Sequence, residues 1–332
     1  MGSEMCIRDR YVGGLQVIKG NITPGNIAEF VIYVNMLTWP VTAIGWVASI
    51  VQQAAASQKR INEFLETEPD IESEENAISM EKFTGKIEFQ NVRFVYPDTG
   101  IQALRNVSFT LQPGERLAII GRTGTGKTTI ADLLLRMYDV TDGEILIDDK
   151  NIRNYNLSTL RQKIGYVPQD SFLFSDTVAA NVAFGTHDAD LDKIKEFTKY
   201  AAVYQEIKGL SKGFETVVGE RGVTLSGGQK QRISIARALI KEPDIIILDD
   251  CLSAVDANTE QTILGYLNGA LADKTTIIIT HRIYSSLQFD KIIVLEDGLI
   301  SEAGTHEELL ASKGFYFEML EKQKSESEEI KV

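Results

Sequence analysis

The sequence is poor in cysteine. Its 332 residues include 2 cysteines, Cys6 and Cys251. Two cysteines so far apart cannot build a disulfide framework, and they lack the paired spacing of a structural zinc site. We therefore expect Cys251 to be a small packed residue rather than a cross-link or a metal ligand.

Positive charge is also scarce. Lys and Arg number 34 against 47 Asp and Glu, which gives a formal net charge of −13. Contacts with nucleic-acid phosphates need clustered Lys and Arg side chains. The composition therefore argues against a nucleic-acid partner, and we expect the acidic excess to be a solvated surface.

The first ten residues also differ from the pattern of a secretory signal. Residues 1–10 (MGSEMCIRDR) are polar and charged, whereas a signal peptide has a basic start followed by an apolar run of about 7–15 residues. We predict that residues 1–10 are a non-native leader, and they are excluded from the reasoning about the fold.

One long stretch lacks charge altogether. Residues 30–51 form a run of 22 residues without Asp, Glu, Lys or Arg, and a helix of that length is about 33 Å long, enough to cross a bilayer core. Pro40 near its middle suggests a kinked helix within a bundle. Lys59 and Arg60 follow the run and place its C-terminal end in the cytoplasm. A buried helix of a soluble core is the weaker alternative, because such helices rarely run this long without charge.

The most specific pattern is GRTGTGKT at residues 121–128, which matches the phosphate-binding P-loop pattern in every fixed position. An apolar run at 117–120 precedes it and a helical pattern at 129–137 follows it, as a P-loop requires. Backbone N–H groups at such a helix start point at phosphates, and glycine lets the backbone approach them. Lys127 would reach the β and γ phosphates of ATP, and the Thr128 hydroxyl would bind Mg²⁺.

Two patterns in the second half of the chain narrow the class of nucleotide protein. Residues 245–250 (IIILDD) predict an apolar strand that ends in two acids, of which Asp249 would hold Mg²⁺. The sequence LSGGQ at 225–229 lies just ahead of a helical pattern, and glycines at a helix start form another anion site. Because one chain needs only one γ-phosphate cradle, this second cradle suggests a second protomer.

With these motifs in this order, residues 83–320 resemble the ATP-binding cassette (ABC) family. The alternation of strand and helix patterns predicts an α/β fold with a mostly parallel core sheet and helices on both faces. The resemblance adds an antiparallel β subdomain and a helical arm that carries LSGGQ. The individual elements that the patterns predict are strands at 86–94, 117–120, 142–147, 245–248, 276–280 and 291–295, and helices at 129–137, 191–206 and 226–240.

The resemblance also implies roles for single residues. Tyr96, in VRFVYPD, is similar to the aromatic residue that stacks on adenine. Asp250 stands at the position of the catalytic acid, His281 resembles the switch histidine, and Gln169 resembles the Q-loop glutamine that also approaches Mg²⁺. The remaining residues that would contact ATP belong to the P-loop, the signature and the D-loop: Gly121, Thr123, Gly124, Thr125, Gly126, Lys127, Thr128, Thr129, Ser226, Gly227, Gly228, Gln229 and Asp256.

Asp250 departs from the family, which has Glu at this position. The shorter side chain loses about 1.5 Å of reach, and a displacement of about 1 Å in a positioned group can cost on the order of a hundredfold in rate. We expect the chain to bind ATP but to hydrolyse it slowly at its own site. In this family two cassettes close head to tail, so the intact LSGGQ would complete the partner's site. The predicted partner is a second ABC half-transporter, a different chain with Glu after its Walker B Asp.

Three alternatives stay open. The chain could be a homodimeric exporter cassette with ordinary turnover, or a non-hydrolysing regulatory cassette that acts as an ATP-gated switch. A soluble cassette ATPase of DNA repair shares the P-loop and the signature, but such chains usually carry long coiled coils or basic surfaces. This sequence has neither.

The predicted organisation has five parts. They are a leader at 1–10, a transmembrane remnant at 11–62 with its span at about 27–51, an acidic linker at 63–82, the cassette at 83–320 and a polar tail at 321–332. One span cannot form a transport pathway, so we expect the preceding helices of a half-transporter to be missing from this chain. The full-length protein would be a multi-pass exporter of the cell membrane, with lipid around its helices and its cassette in the cytoplasm.

Overall fold

The structure is a computed structural model, and it describes residues 2–186, 189–219, 222, 224–253, 255, 257–270, 273–283 and 288–329. The chain divides into two units, Met1–Asp70 and Ile71–Val332. The five-part division that the sequence predicts stays a prediction.

The first unit consists of two helices, α1 (Gly2–Ile18) and α2 (Pro24–Leu65). The short turn between them ends at Thr23, the N-cap residue of α2. The backbone N–H of Thr23 donates to the Asn26 side chain at 2.9 Å, and this contact caps the start of the helix. Helix α1 includes most of the predicted leader, whose origin stays a prediction.

Helix α2 contains the predicted span. It is 42 residues long, it continues through Pro40, and none of its residues is buried. In the described part of the chain it is the one helix that is long and apolar enough to cross a membrane. Its side chains include Trp39 and Trp46, which are 72% and 65% exposed. A bare apolar surface of this kind needs lipid or other helices around it.

The second unit begins with an antiparallel sheet of four strands in the order β2-β1-β4-β5. Phe89 and Phe109 lie opposite each other on β1 and β2, and their rings stack with centroids 4.5 Å apart. This sheet is the antiparallel subdomain that the family resemblance implies. Its strands are β1 (Ile87–Val95), β2 (Gln102–Leu111), β4 (Asp142–Ile147) and β5 (Lys150–Asn151).

A second sheet of six strands forms the core, in the order β10-β9-β3-β8-β7-β6. Five of its strands are parallel, and β10 pairs antiparallel with β9 at one edge. Every residue of β7 and β8 is buried, as expected for a parallel sheet covered on both faces. The strands are β3 (Arg116–Ile120), β6 (Ile164–Val167), β7 (Ile245–Asp249), β8 (Thr275–Thr280), β9 (Lys291–Glu296) and β10 (Leu299–Gly304).

Nine further helices belong to the described part of this unit. They are α3 (Lys127–Leu134), α4 (Leu157–Lys163), α5 (Val178–Ala183), α6 (Leu191–Tyr200), α7 (Tyr204–Gly209), α8 (Gly227–Leu239), α9 (Ala257–Ala270), α10 (His306–Ser312) and α11 (Phe315–Glu329). Together the sheets and helices confirm the predicted α/β cassette fold.

Two predicted helices need correction. The helix expected at 191–206 is interrupted, because Ala202 adopts a left-handed backbone (φ 52°) that ends α6 before α7 begins. The helix expected at 129–137 begins at Lys127 and ends at Leu134, and Arg136 just beyond it is also left-handed (φ 50°). Neither terminating residue is a glycine, so composition gave no sign of these ends.

The architecture brings three distant segments to one edge of the core sheet. The P-loop follows β3, the two acids lie at the end of β7, and His281 follows β8. Since β3, β8 and β7 are adjacent parallel strands, their carboxyl ends meet, and ligands of open α/β sheets bind at such edges.

Asp148 joins the start of the second unit to its antiparallel sheet. Its carboxylate accepts hydrogen bonds from the backbone N–H groups of Thr84, Gly85 and Lys86 at 2.7–3.0 Å, and from the Thr84 hydroxyl at 2.5 Å. Its own backbone is left-handed (φ 49°), a conformation that Asn tolerates better than Ala. Removing this carboxylate would leave several backbone donors without their acceptor.

We therefore predict that Asp148→Ala destabilises the protein by about 2–3 kcal/mol and lowers its thermal midpoint by roughly 4–12 °C. Asp148→Asn should lose about half as much, because the amide keeps one acceptor oxygen. Asp149→Ala is the matched control, since its side chain is 74% exposed and pairs only at the surface with Lys86. Thermal unfolding of the detergent-solubilised chain measures all three, and equal midpoints for Asp148→Ala and Asp149→Ala would contradict the assignment.

Candidate functional site: a nucleotide cleft

Two of the glycines in the loop between β3 and α3 have left-handed backbones and shape the phosphate-binding turn. Gly126 has a left-handed backbone (φ 98°), and a Cβ there would lie 2.5 Å from the Ala103 carbonyl oxygen. Gly124 is also left-handed (φ 85°), with open space where a side chain would be. The first glycine permits close packing on β2, and the second leaves room beside the loop, so the backbone N–H groups at the start of α3 are accessible to an anion.

Lys127 crosses this loop from the first turn of α3. Its Nζ donates to the carbonyl oxygens of Gly121 at 2.9 Å and Arg122 at 2.7 Å. Burial lowers the pKa of Lys127, while the nearby carboxylates of Asp249 and Asp250 oppose this effect. The ammonium group is therefore held over the loop, where a phosphate would meet it.

Asp249 lies at the end of β7 and is only 1% exposed. Burial raises the pKa of its carboxyl group, and a hydrogen bond from the side chain of Thr128 opposes this rise. Its second oxygen, Oδ2, is buried and has no hydrogen-bond partner among the described residues. A buried carboxylate oxygen beside a threonine hydroxyl fits the oxygen-ligand preference of Mg²⁺.

Among the described residues, Asp249 does not belong to a larger set of metal ligands. The described residues contain no group of three or more His, Cys, Asp or Glu side chains that could hold a metal ion. Mg²⁺ in nucleotide sites is usually bound through one or two carboxylates together with the substrate phosphates. The residues present therefore fit a metal ion that arrives with its nucleotide.

Asp250 and His281 face each other across the ends of β7 and β8. His281 Nδ1 lies 2.9 Å from Asp250 Oδ1. Burial raises the pKa of the Asp250 carboxyl group, and the neighbouring His281 and Arg282 act in the opposite direction. Asp250 is also left-handed (φ 44°), which directs its side chain differently from those of the strand before it.

These groups line a single cleft of about 350 Å³. Tyr96 stands at its side, where its hydroxyl lies 3.0 Å from Thr129 Oγ1 and its ring packs edge-on against Phe94 and Tyr138. The sequence-predicted residues that line the cleft are Tyr96, Thr123, Gly124, Gly126, Lys127, Thr128, Thr129, Gln169, Asp249, Asp250 and His281.

Gly121 and Thr125 support the loop instead of lining the cleft. The Gly121 carbonyl accepts from Lys127, and the Thr125 hydroxyl donates to the Arg122 carbonyl at 2.9 Å. The cleft also has lining residues that sequence reasoning missed: Ile101, Gln102, Ala103 and Thr280. Ile101 directly precedes β2 and the next two begin it, a strand that no sequence pattern indicated. Thr280 directly precedes His281 and could have been found from it.

The LSGGQ residues lie elsewhere on the cassette, at the start of α8. Ser226 caps this helix. Its hydroxyl accepts a hydrogen bond from the Gln229 backbone N–H at 3.2 Å, and its own backbone N–H donates to Gln229 Oε1 at 2.9 Å. Ser226, Gly227, Gly228 and Gln229 are not among the residues that line the nucleotide cleft. Asp256, the predicted D-loop residue, lies outside the described residues.

Known proteins share the fold and much of the sequence of this chain. Residues 104–253 match the ABC transporter family model. A multidrug-resistance ABC transporter ATP-binding/permease protein of Bacillus subtilis, YheI, whose name marks that function as probable, is 43% identical over 94% of this chain and 53% of its own length. The chain belongs to the ABC transporter family.

Other ABC proteins agree. The ATP-dependent lipid A-core flippase of Syntrophus aciditrophicus is 41% identical over 93% of this chain and 51% of its own length. A solved structure of a bacterial Atm1-family ABC exporter with ATP bound matches with a TM-score of 0.79 at 38% identity, covering 91% of this chain and 53% of that one. The chain thus spans about half the length of the relatives it matches, and its second unit contains an ABC transporter domain.

The buried Asp249 of this cassette gives a testable link between stability and function. Because its pKa is raised in the folded state, the stability that it contributes is present below the ordinary carboxyl pKa and is lost as the pH rises through the raised value. At a pH above that raised value, where the carboxylate is ionised, it therefore destabilises the nucleotide-free protein.

We predict that Asp249→Asn raises the thermal midpoint of the nucleotide-free protein at pH 7 by about 2–4 °C, and that it reduces the further stabilisation by Mg-ATP. Thermal unfolding in EDTA and in Mg-ATP measures both effects. Glu318→Gln, on the exposed side of α11, is the control for loss of one negative charge. A lower midpoint for Asp249→Asn in EDTA would show that its carboxylate stabilises the empty site.

Proposed function

We propose that this chain is the ATP-binding and ATP-hydrolysing part of an exporter, in which head-to-tail closure of two cassettes powers transport across a membrane. One observation carries the proposal: the P-loop, the two acids, Gln169 and His281 line one cleft although they come from distant segments. The long apolar helix α2 on the same chain supports a membrane location.

Within the cleft, the backbone N–H groups at the start of α3 and the ammonium of Lys127 would hold the ATP phosphates. Thr128, Asp249 and Gln169 would hold Mg²⁺, and Tyr96 would stack on adenine. The bound metal ion would neutralise charge that develops on the phosphate oxygens. Asp250 and His281, 2.9 Å apart, would orient the attacking water and hold its proton.

We propose that Asp250 slows ATP hydrolysis at this chain's own site. Its side chain is one methylene shorter than that of the Glu found in most of the family, and its Oδ1 lies 2.9 Å from His281 Nδ1. Water positioning is sensitive to displacements of about 1 Å. Binding groups are unaffected by this difference, so the proposed site holds ATP for longer than it takes a partner site to turn over.

The signature of this chain would complete the partner's site. Ser226, Gly227 and Gly228 begin α8 on a part of the surface that does not line the chain's own cleft. Exposed N–H groups at a helix start attract anions. We propose that the partner is a different ABC half-transporter with Glu after its Walker B Asp, and that the pair lies in the cell membrane with its cassettes in the cytoplasm.

Turnover of Mg-ATP by the chain and by its Asp250→Glu variant tests the proposal. We expect the wild type to bind ATP and release phosphate slowly, and the variant to be about 10–100 times faster because the carboxylate regains its reach. Lys127→Ala should abolish binding and is the control for a contaminating ATPase.

The other outcomes of this experiment distinguish the alternative functions. Rapid turnover that Asp250→Glu does not change would contradict the slow site and indicate an ordinary homodimeric cassette. Tight ATP binding with no turnover in either protein, alone or with a Glu-bearing partner, would instead indicate an ATP-gated regulatory cassette.

A further inference from the structure

The start of α8 is held by a side-chain cluster that lies outside the nucleotide cleft. Glu206 on α7 accepts hydrogen bonds from Gln229 Nε2 at 2.8 Å and from Arg232 Nη1 and Nη2 at 2.6 Å and 3.0 Å. Both carboxylate oxygens are thereby used, and the contact with Arg232 is bidentate. Bidentate, charge-assisted pairs of this kind are the strong and directional ones.

Arg232 extends this cluster to two further backbone groups. Its side chain donates to the carbonyl oxygens of Gly228 at 3.1 Å and Ala202 at 2.8 Å, and the residue is 7% exposed. Ala202 is the left-handed residue that ends α6. One buried guanidinium therefore joins the end of α6, the helix α7 and the first turn of α8. Removing its carboxylate partner would leave a buried charge without compensation.

Glu206 also decides how the Gln229 amide is oriented. An ionised carboxylate only accepts hydrogen bonds, so the Gln229 amino group must be the part that faces Glu206. The amide oxygen is then directed to the Ser226 N–H, which it accepts at 2.9 Å. Reversing the amide would lose both contacts. The cap of the LSGGQ helix therefore depends on a carboxylate located 23 residues earlier in the chain.

We propose that Glu206 is a positioning residue for the LSGGQ turn: through Gln229 and Arg232 it fixes the N-terminal turn of α8 in the form that receives the nucleotide of the partner cassette. This inference rests on the proposed function, because it assumes that the turn acts on a partner's ATP. Glu206 itself need not touch that nucleotide. Its charge, which would repel phosphate, is offset by the paired guanidinium of Arg232.

The test uses three variants of the full chain. Glu206→Ala removes all the contacts, while Glu206→Gln keeps the size of the side chain and removes the charge that Arg232 pairs with. Glu215→Gln is the matched control. Glu215 is an exposed carboxylate that lies shortly after the end of α7 in the chain. Thermal unfolding identifies any variant that fails to fold, and Glu206→Gln is the variant on which the decision then rests.

Three measurements separate positioning from a general structural role. Hydrogen exchange of the backbone amides at 226–230, without nucleotide, reports the order of the turn. Binding of a fluorescent ATP analogue reports the chain's own cleft. Analytical ultracentrifugation with and without Mg-ATP reports association with a second copy of the chain, whose P-loop and signature are both present.

We expect faster exchange at 226–230 in both Glu206 variants, affinity of the chain's own cleft unchanged within about twofold, and Mg-ATP-dependent association weakened about tenfold, within the usual range of coupling between sites. Unchanged exchange, or faster exchange with normal association, would overturn the inference and leave the proposed function intact. Equal losses in both affinities would show a structural role only and would also overturn it. A wild-type chain that in Mg-ATP associates neither with itself nor with its Asp250→Glu form, which supplies a cassette with Glu at that position, would overturn the head-to-tail function itself, and the inference with it. If the wild type associates only with the Asp250→Glu form, the Glu206 variants are compared in that pairing.

Discussion

The nucleotide cleft depends on one constraint, which is that neighbouring parallel strands end at the same edge of a sheet. β3, β8 and β7 are adjacent, and their backbones are hydrogen-bonded to each other up to the point where the loops begin. The groups that follow these strands are therefore close together although the P-loop and His281 are far apart in sequence. Loss of the register between these strands would separate every pair of groups in the site at once.

The same edge of the sheet contains charged groups whose burial is unfavourable. Asp249 has a buried oxygen without a described partner, and burial raises its pKa and lowers that of Lys127. Both shifts disfavour the charged forms that a nucleotide with Mg²⁺ would stabilise. Binding of a nucleotide with Mg²⁺ would offset the cost of burying these charges, and it would stabilise the folded cassette accordingly. The two central strands β7 and β8, which are buried along their whole length, lie directly behind these groups.

Sequence reasoning located the parts of the site that lie within contiguous motifs. The P-loop, the acids after β7 and His281 could be placed because an apolar strand pattern precedes each of them, and the fold confirms those strands. It could not locate Ala103, whose carbonyl oxygen forces Gly126 to be glycine, because that contact joins two elements with no shared pattern.

Long-range polar contacts were missed for the same reason. In the sequence, Glu206 is the last residue of one predicted helix, 191–206. In the structure the chain breaks at Ala202, and the carboxylate of Glu206 on α7 contacts Arg232 of α8. Such a break has no glycine or proline to mark it. Its cause is tertiary, since the Ala202 carbonyl is held by the Arg232 guanidinium, and local propensity is often overridden by contacts of this kind.

Asp250 and the LSGGQ turn lie on different surfaces of the cassette, and this separation explains how one can depart from the family while the other keeps its pattern. A change at Asp250 alters only the nucleotide in the chain's own cleft, whereas α8 begins outside that cleft. In a dimer of identical chains both composite sites would carry the short acid, and an intact signature would serve two slow sites. In a dimer of different chains the same signature serves a site whose acid belongs to the partner. The combination of a shortened acid with a fully capped LSGGQ helix therefore favours unlike partners over like ones.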